Sequence, residues 1–264
     1  MRAARCGITR CGPVPGLTRF GPMREPDAAF ADPRQAVLYD VLDDDRSDLE
    51  VYVAIAREVG ARRVVDVGCG TGSLAVLLAG EGLSVVGVDP AAASLDVART
   101  KPYADRVTWI HGDATALAGR PDEADLVVMT GNVAQVFVAD EDWSATLAGV
   151  HAGLCPQGWF VFETRRPEVR AWESWDVAPT TVDLPDGRTA VVSRTVTEVD
   201  LPFVTFVEST TIGEETLTST STLRFRDRAE IERDLRSHGF SVSDVRDAPD
   251  RPGKEHVFLA RVRD

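Results

Sequence analysis

The sequence predicts a doubly wound α/β fold with an inserted antiparallel β-meander. Short apolar segments alternate five times with helical segments between residues 62 and 163, which is typical of a parallel sheet covered by helices on both faces. Between about residues 180 and 225, Thr, Val, Ser and Glu alternate in polarity, which indicates antiparallel strands. A helix that ends at Gly239 and two further strands, predicted to pair antiparallel, close the chain.

The core strands are predicted from short apolar segments that end in Gly, Asp or Pro. Residues 62–67 are rich in β-branched side chains and lead into a glycine, and residues 84–88 lead into Asp89 and Pro90. Ser47 is the predicted N-cap of the second helix. The predicted core strands are 62–67, 84–88, 107–110, 124–130, 159–163, 240–245 and 256–262, and the predicted helices are 36–40, 49–59, 74–79, 91–100, 140–154 and 227–238.

Turn sequences divide the meander into about four strands, because Gly- or Pro-containing turns fall at residues 185–187, 200–202 and 213–215. We therefore expect a core domain made of residues 27–165 and 226–264. Residues 166–225 are expected to form an inserted antiparallel β subdomain.

The first 23 residues carry four Arg, no acidic residue and many Gly and Pro. They lack the apolar core of a secretory signal, so residues 1–26 are predicted to be a disordered leader. Met23 is a hypothetical alternative start of the chain.

Composition excludes several classes of partner. The net charge is −13, with 42 acidic and 29 basic residues, so nucleic acid and anionic membrane are not expected partners. No apolar run approaches the roughly 20 residues that span a bilayer. The four cysteines are scattered and form no CxxC pair, so we expect no metal site and a cytoplasmic location.

Three carboxylates follow three predicted strands around a glycine-rich turn at residues 68–72. Ligands of open α/β sheets bind at the carboxyl ends of the strands. Asp66 needs a partner there, and the ammonium group of a bound amino acid would serve. The alternative is that Asp66 only braces backbone N–H groups. Asp89 can accept ribose hydroxyls or cap a helix, and Asp113 can accept an adenine amine or stabilise a turn.

These segments resemble the class I (Rossmann-like) S-adenosylmethionine-dependent methyltransferases over about residues 62–163. The resemblance rests on Val-Asp-Val-Gly-Cys-Gly-Thr-Gly, Val-Gly-Val-Asp and Gly-Asp-Ala. It implies a seven-stranded, mostly parallel sheet with an antiparallel last strand, and S-adenosylmethionine as cofactor. The implied cofactor contacts, including a covering segment at Tyr39, are Tyr39, Asp66, Gly68, Cys69, Gly70, Gly72, Asp89, Pro90, Asp113, Ala114 and Asn132.

The meander resembles the extra sheet of small-molecule methyltransferases, such as sugar N-methyltransferases and glycine N-methyltransferase, where it covers the active site or forms a subunit interface. A homodimer through this sheet is therefore expected. The chain lacks the Asn-Pro-Pro-aromatic motif of adenine and glutamine methyltransferases. Substrate contacts are expected after strands four and five, at Gln135, Phe137, Glu163, Arg165, Trp172 and Trp175.

No catalytic base is assigned with certainty, and His256 is the candidate because it begins an antiparallel strand. His151 and His238 fall at the wrong end of the sheet, and His111 falls on the adenine side. For the two tryptophans above, packing of the inserted sheet is the alternative role.

The function predicted from these features is methyl transfer from S-adenosylmethionine to an N or O atom of a small-molecule acceptor. One alternative is a nicotinamide-dependent oxidoreductase, which would favour Gly at position 73 and an apolar residue at position 66, where this chain has Ser73 and Asp66. A second alternative is a non-catalytic S-adenosylmethionine-binding or scaffolding protein.

Overall fold

Two β-sheets and seven α-helices make up the described part of the chain. The computed structural model describes residues 25–42, 45–120, 122–184 and 186–263. The predictions of a leader and of a start at Met23 concern residues that lie almost entirely outside these ranges. Among the described residues, no helix is long and apolar enough to cross a bilayer.

The elements follow the predicted order. The helices are α1 (Ala28–Ala31), α2 (Pro33–Leu42), α3 (Glu50–Glu58), α4 (Ser73–Gly80), α5 (Ala92–Ala98), α6 (Asp140–Gly153) and α7 (Arg228–Ser237). The core strands are β1 (Arg63–Val67), β2 (Ser84–Asp89), β3 (Val107–His111), β4 (Ala124–Met129), β5 (Leu154–Arg165), β10 (Phe240–Asp247) and β11 (Glu255–Val262). The inserted strands are β6 (Val177–Asp183), β7 (Thr189–Asp200), β8 (Phe203–Ile212) and β9 (Glu215–Arg224).

The core sheet has seven strands in the order β10-β11-β5-β4-β1-β2-β3. Strand β11 runs antiparallel to both of its neighbours, and the β1, β2, β3, β4 and β5 pairs are parallel. The predicted α/β fold with an antiparallel last strand is therefore confirmed. The carboxyl ends of the parallel strands and the first residue of β11 consequently meet at one edge.

Both faces of this sheet are buried. On β4, Leu126 and Val128 pack with α3 and α4, whereas Val127 and Met129 pack with α6 and α7. The strands therefore read as continuous apolar runs rather than as alternating ones, as expected for a sheet covered on both sides.

The inserted segment forms a separate four-stranded antiparallel sheet in the order β6-β7-β8-β9. The prediction of a four-stranded meander is confirmed. Val204 and Leu223 of this sheet pack with Trp172 and Phe225, which lie on the two connections to the core. The homodimer expected through this sheet stays a prediction.

Two local predictions differ from the structure, and one short helix was not predicted. Ser47 does not cap α3, because a 3-10 turn over Ser47–Leu49 precedes the helix and the cap position falls on Leu49. Strand β5 begins at Leu154, directly after α6, because residues 154–158 continue the strand that was predicted to start at 159. Helix α1 was not predicted, since its four residues are too few to show a periodicity.

The loop after β3 rests on a glycine of α6. A Cβ atom on Gly149 would lie 2.2 Å from the carbonyl oxygen of Ala114, a backbone atom that no side-chain rotation can move. Helix α6 can therefore approach the end of β3 only with glycine at this position.

Gly149→Ala should destabilise the protein by about 1–3 kcal/mol, the usual cost of overpacking. Gly119→Ala is the control, because a Cβ atom there has no neighbour within 4 Å. Urea unfolding followed by circular dichroism measures both variants. Equal midpoints for the two would contradict the packing assigned to Gly149.

Candidate functional site

A cleft opens at the carboxyl edge of the core sheet, where the glycine-rich turn after β1 faces the ends of β2 and β4. Gly68, Gly70 and Gly72 have φ angles of 71°, 53° and 79°, which glycine adopts without strain. A Cβ on Gly68 would come within 2.7 Å of Val133, whereas one on Gly70 would meet nothing within 4 Å. The backbone at Gly70 is therefore open to a ligand.

Gly72 was predicted to contact the cofactor, but the structure places it in the core. A Cβ atom here would lie 2.5 Å from the ring of Trp109, and one on Gly87 would lie 2.6 Å from the same ring. Both glycines make room for Trp109, whose Nε1 donates a hydrogen bond to the carbonyl oxygen of Ala104. No residue spacing in the chain predicts this contact.

Asp89 is fixed by two backbone donors at the end of β2. Its Oδ2 accepts the N–H of Gly70 at 2.8 Å, and its Oδ1 accepts the N–H of Ala91 at 2.8 Å. Asp89 lines the cleft together with Pro90. Each carboxylate oxygen keeps a second lone pair for a ligand hydroxyl.

Asp66 ends in the same cleft with an unsatisfied carboxylate. It is 1% exposed, and its Oδ1 has no hydrogen-bond partner among the described residues. Burial, and secondly the charge of Asp89, raises the pKa of Asp66 to about 7, whereas the charge of Arg46 acts in the opposite direction. A cationic ligand group would remove this penalty. Burial also raises the pKa of the neighbouring Cys69 thiol, so this side chain is a neutral group in the cleft wall.

The cleft continues past Gly68 and Pro90 to the end of β3. Asp113 and Ala114 line this part, where Thr115 donates its backbone N–H to Asp113 at 2.9 Å. Phe137 was predicted to contact the substrate, but it lines this end of the cleft instead.

Helices α1 and α2 cover the cleft, and we call residues 25–42 the cover segment. Phe30 and Tyr39 line the cleft from above, with ring centroids 5.9 Å apart. Asp40 anchors the segment, because it accepts the hydroxyl of Thr71 at 2.7 Å and pairs with Lys101 at 2.7 Å. Tyr39 thus lies where a residue that covers the cofactor was expected. The segment that carries it is anchored to the glycine-rich turn itself.

A second cavity of about 420 Å³ lies between the cover segment, the core and the inserted sheet. Gly131, Val136 and Tyr39 line both this cavity and the cleft, so the two spaces adjoin. Its polar lining residues include Gln35, Asn132, Arg165, Ser193, Arg194, Glu208, Ser209, Thr210 and Ser221.

Asn132 was predicted to bind the cofactor, but the structure places it in the lining of the second cavity. It is 2% exposed and has a φ of 61°, a left-handed conformation that Asn tolerates better than most residues. Its Nδ2 donates to Oε1 of Glu255 at 3.0 Å, and its Oδ1 has no partner among the described residues.

Glu163 and Gln135, both predicted substrate contacts, are buried behind the cavity wall. Glu163 is 1% exposed and accepts hydrogen bonds from the Tyr52 hydroxyl and from the N–H of Gly131. Burial, and secondly the charge of Glu255, raises the pKa of Glu163. Gln135 is fully buried and accepts a hydrogen bond from Nη1 of Arg165 at 2.9 Å. Both side chains form hydrogen bonds within the wall, and neither lines the second cavity.

Of the remaining predicted substrate contacts, Arg165 lines the second cavity. Trp172 packs in the apolar cluster at the base of the inserted sheet and is 3% exposed, as the packing alternative required. Trp175 lies beneath the guanidinium of Arg165, with the ring centroid 5.2 Å from Cζ.

His256, the candidate base, points away from the second cavity. Side chains alternate along a strand. Glu255 and Val257 face α3, whereas His256 contacts the ring of Phe258, which packs on the opposite face with α6 and α7. The Nε2 of His111 bonds to the carbonyl oxygen of Pro90, on the side of β3.

Comparison with known proteins identifies the type of domain. Residues 64–158 match the family described as Methyltransferase domain. A relative from Geobacillus sp. (strain WCH70), named "Putative methyltransferase", is 55% identical over 106 residues, which are 39% of this chain and 42% of the relative. The cypemycin N-terminal methyltransferase of Streptomyces sp. is 30% identical over 147 residues, 56% of this chain and 60% of that protein. The chain spans about half the length of these relatives.

A solved structure shares the fold over most of its length. CalS10, an amino pentose methyltransferase from Micromonospora echinaspora solved with S-adenosylmethionine bound, has a TM-score of 0.65 and 21% identity to this chain. The match covers 85% of this chain and 96% of CalS10. It extends into the inserted segment, since the rest of the chain alone is too short for that coverage.

Asp66 should make the ligand-free protein sensitive to pH. The pKa of Asp66 is about 7 in the folded chain and about 3.8 ordinarily. At pH values between these two, folding therefore takes up a proton, and the wild type loses stability as the pH rises through this range. Asp66→Asn has similar size and cannot ionise. Its stability relative to wild type should therefore grow from about pH 4 to about pH 7 and then level off. Urea unfolding at a series of pH values tests this, and a difference independent of pH would contradict it.

Proposed function

On the premise that the chain carries a methyltransferase domain of the class I, S-adenosylmethionine-dependent fold, we propose that it transfers a methyl group from S-adenosylmethionine to a nitrogen or oxygen atom of a small-molecule acceptor. The observation that carries the proposal is the unpartnered oxygen of Asp66, in a cleft that adjoins a second cavity. The cleft is the site proposed for the cofactor, and the second cavity is the site proposed for the acceptor.

The residues of the cleft fit the chemistry of this cofactor. The ammonium group of its methionine part would offset the cost of burying a negative charge on Asp66. Without such a cation, burial raises the pKa of this carboxyl group. Asp89, held by two backbone N–H groups, has lone pairs for the ribose hydroxyls. Asp113 and Ala114 would border the adenine at the far end. The open backbone at Gly70 lets the ligand approach closely.

When bound, S-adenosylmethionine supplies a methyl group on a positively charged sulfur. The chain's contribution is then mainly positioning, because alignment of two reactants can contribute up to about 7–11 kcal/mol. Gly131 and Val136 form the boundary between cleft and second cavity, so they would set the distance of approach. The cover segment, anchored through Asp40, would exclude water from the same boundary.

A small acceptor is supported by the size of the second cavity, about 420 Å³, which is within the range of small-molecule sites. The acidic balance of the chain, with a net charge of −13, disfavours nucleic acid as an acceptor. The Streptomyces relative acts on an N-terminus, as its name states, and this supports nitrogen as one of the two acceptor atoms.

Titration calorimetry with S-adenosylhomocysteine tests the cofactor site. Wild type should bind, and Asp89→Asn should bind roughly tenfold or more weakly, because it replaces a charged acceptor of hydrogen bonds by a neutral amide. Asp125→Asn is the control: Asp125 lies at the opposite edge of the sheet, where it pairs with Arg63. Absence of binding to folded wild type would refute the proposal.

Turnover is measured as S-adenosylhomocysteine formed from S-adenosylmethionine over a panel of small amines and alcohols. Methylation of one or more members is expected. Binding without turnover over a broad panel would favour the alternative of a non-catalytic S-adenosylmethionine-binding protein.

The anchor of the cover segment should control how fast the cofactor leaves. Asp40→Asn weakens the ion pair with Lys101 and should raise the dissociation rate of S-adenosylhomocysteine about fivefold, as for the loss of roughly 1 kcal/mol. Asp32→Asn is the matched control, because Asp32 lies on the same segment but its side chain bonds, among the described residues, only to the nearby Arg34. Stopped-flow displacement measures both rates, and equal rates would show that the anchor does not hold the cover closed.

A further inference from the structure

Resting on the proposed function, we propose that the acceptor is an amine that also carries an anionic group, with its N–H bound by the Asn132 carbonyl oxygen and its anion bound by Arg165. Both side chains line the second cavity. Both also flank one oxygen of Glu255, at 3.0 Å from Asn132 Nδ2 and 3.9 Å from Arg165 Nε, so one small molecule can reach both.

Glu255 determines which end of the Asn132 amide faces the ligand. Glu255 is 1% exposed, and its Oε1 accepts from Arg251 at 3.0 Å as well as from Asn132. Because a carboxylate oxygen only accepts hydrogen bonds, the amide must turn its NH₂ group toward Glu255. The carbonyl oxygen is then the group left for a ligand, and it has no partner among the described residues. A buried acceptor of this kind requires a donor, since leaving it unpaired is costly.

A carbonyl oxygen favours an amine over a deprotonated hydroxyl. An N–H donor pairs with it and directs the nitrogen lone pair elsewhere, whereas an alkoxide would place a second acceptor against it. The neutral amine nitrogen forms a bond to the methyl carbon as the carbon–sulfur bond breaks, and the electron pair of that bond goes to sulfur. The methylated ammonium then loses its extra proton to solvent. Asn132 takes no proton, so this reaction needs no base at the wall.

Arg165 supplies the complementary charge. Among the described residues its hydrogen-bond partner is the neutral amide of Gln135, and the nearby Glu255 oxygen already accepts from two other donors. By contrast, Arg194 in the same cavity bonds through two nitrogens to Glu208. Arg165 therefore has donors left for an anion, and its planar guanidinium suits a carboxylate or a phosphate group.

The test uses a feature of the sequence: Asn132 is its single asparagine. Protein labelled with ¹⁵N only in asparagine gives one side-chain amide signal, which reports on Asn132 directly. The complex with S-adenosylhomocysteine is titrated with 4-aminocyclohexanecarboxylate, with its hydroxy analogue and with its carboxamide. The Asn132 signal should shift with the first, which binds as an ammonium ion and becomes the neutral amine by losing a proton to solvent before it reacts. The hydroxy analogue should bind more weakly, because its neutral O–H replaces a charge-assisted N–H donor to Asn132. The carboxamide should bind roughly tenfold or more weakly, because it loses the charge-assisted hydrogen bond to Arg165.

Variants separate the two contacts. Asn132→Gly tolerates the positive φ and should remove the preference for amine over hydroxyl. Arg165→Gln should remove the preference for carboxylate over carboxamide. Arg166→Gln is the matched control and should retain both preferences, because Arg166 bonds instead to Asp247 and to the Glu255 backbone carbonyl.

The outcomes distinguish this inference from the proposed function. Failure of S-adenosylhomocysteine to bind would refute the cofactor site itself. If it binds, three results would overturn the acceptor assignment: no binding of the anionic amine, equal or tighter binding of the hydroxy acid, or preferences that survive in both the Asn132 and Arg165 variants.

Discussion

Two buried carboxylates hold the loop after β4, residues 130–132, in place. This loop borders both the cleft and the second cavity. Glu163 accepts the N–H of Gly131, and Glu255 accepts the side-chain amide of Asn132. Glu163 lies near the end of β5, whereas Glu255 is the first residue of β11. Only an antiparallel β11 places its beginning beside the end of β5, so the reversed last strand supplies a carboxylate that a parallel strand would leave at the opposite edge.

The two spaces differ in how their charge is balanced. In the wall of the second cavity, the carboxylates of Glu163 and Glu255 lie near the guanidinium groups of Arg165 and Arg251. In the cleft, burial and the like charge of Asp89 both disfavour the ionised form of Asp66. An excess of negative charge in a buried cleft is stable only with a cation or a proton, and a ligand with sulfonium and ammonium groups would supply the former.

The fold and the cleft were predictable from sequence because they follow from chain order. Each strand of the repeated βα units brings its carboxyl end to the same edge, so Asp66, Asp89 and Asp113 had to converge there. The contacts that could not be predicted join distant segments. Gly72 packs under Trp109, which no spacing within the glycine-rich turn reveals. The orientation of the Asn132 amide depends on a residue 123 positions away.

Two predicted substrate contacts on one strand differ in what covers them. Glu163 and Arg165 lie on the same face of β5, yet only the second reaches the cavity, because the Tyr52 hydroxyl of α3 bonds to the first. Alternation along a strand predicts the face of a side chain but not what covers it. The sequence could therefore predict which strand end borders the cavity. Which residues of that end reach the cavity depends on the helix packed against them.

The cover segment joins the two spaces into one unit. Asp40 bonds to the glycine-rich turn, and the N–H of Ala29 donates to the hydroxyl of Ser219 on the inserted sheet at 3.0 Å. Phe30 lines both the cleft and the second cavity. A ligand in either space would therefore contact the cover segment, which also borders the other space.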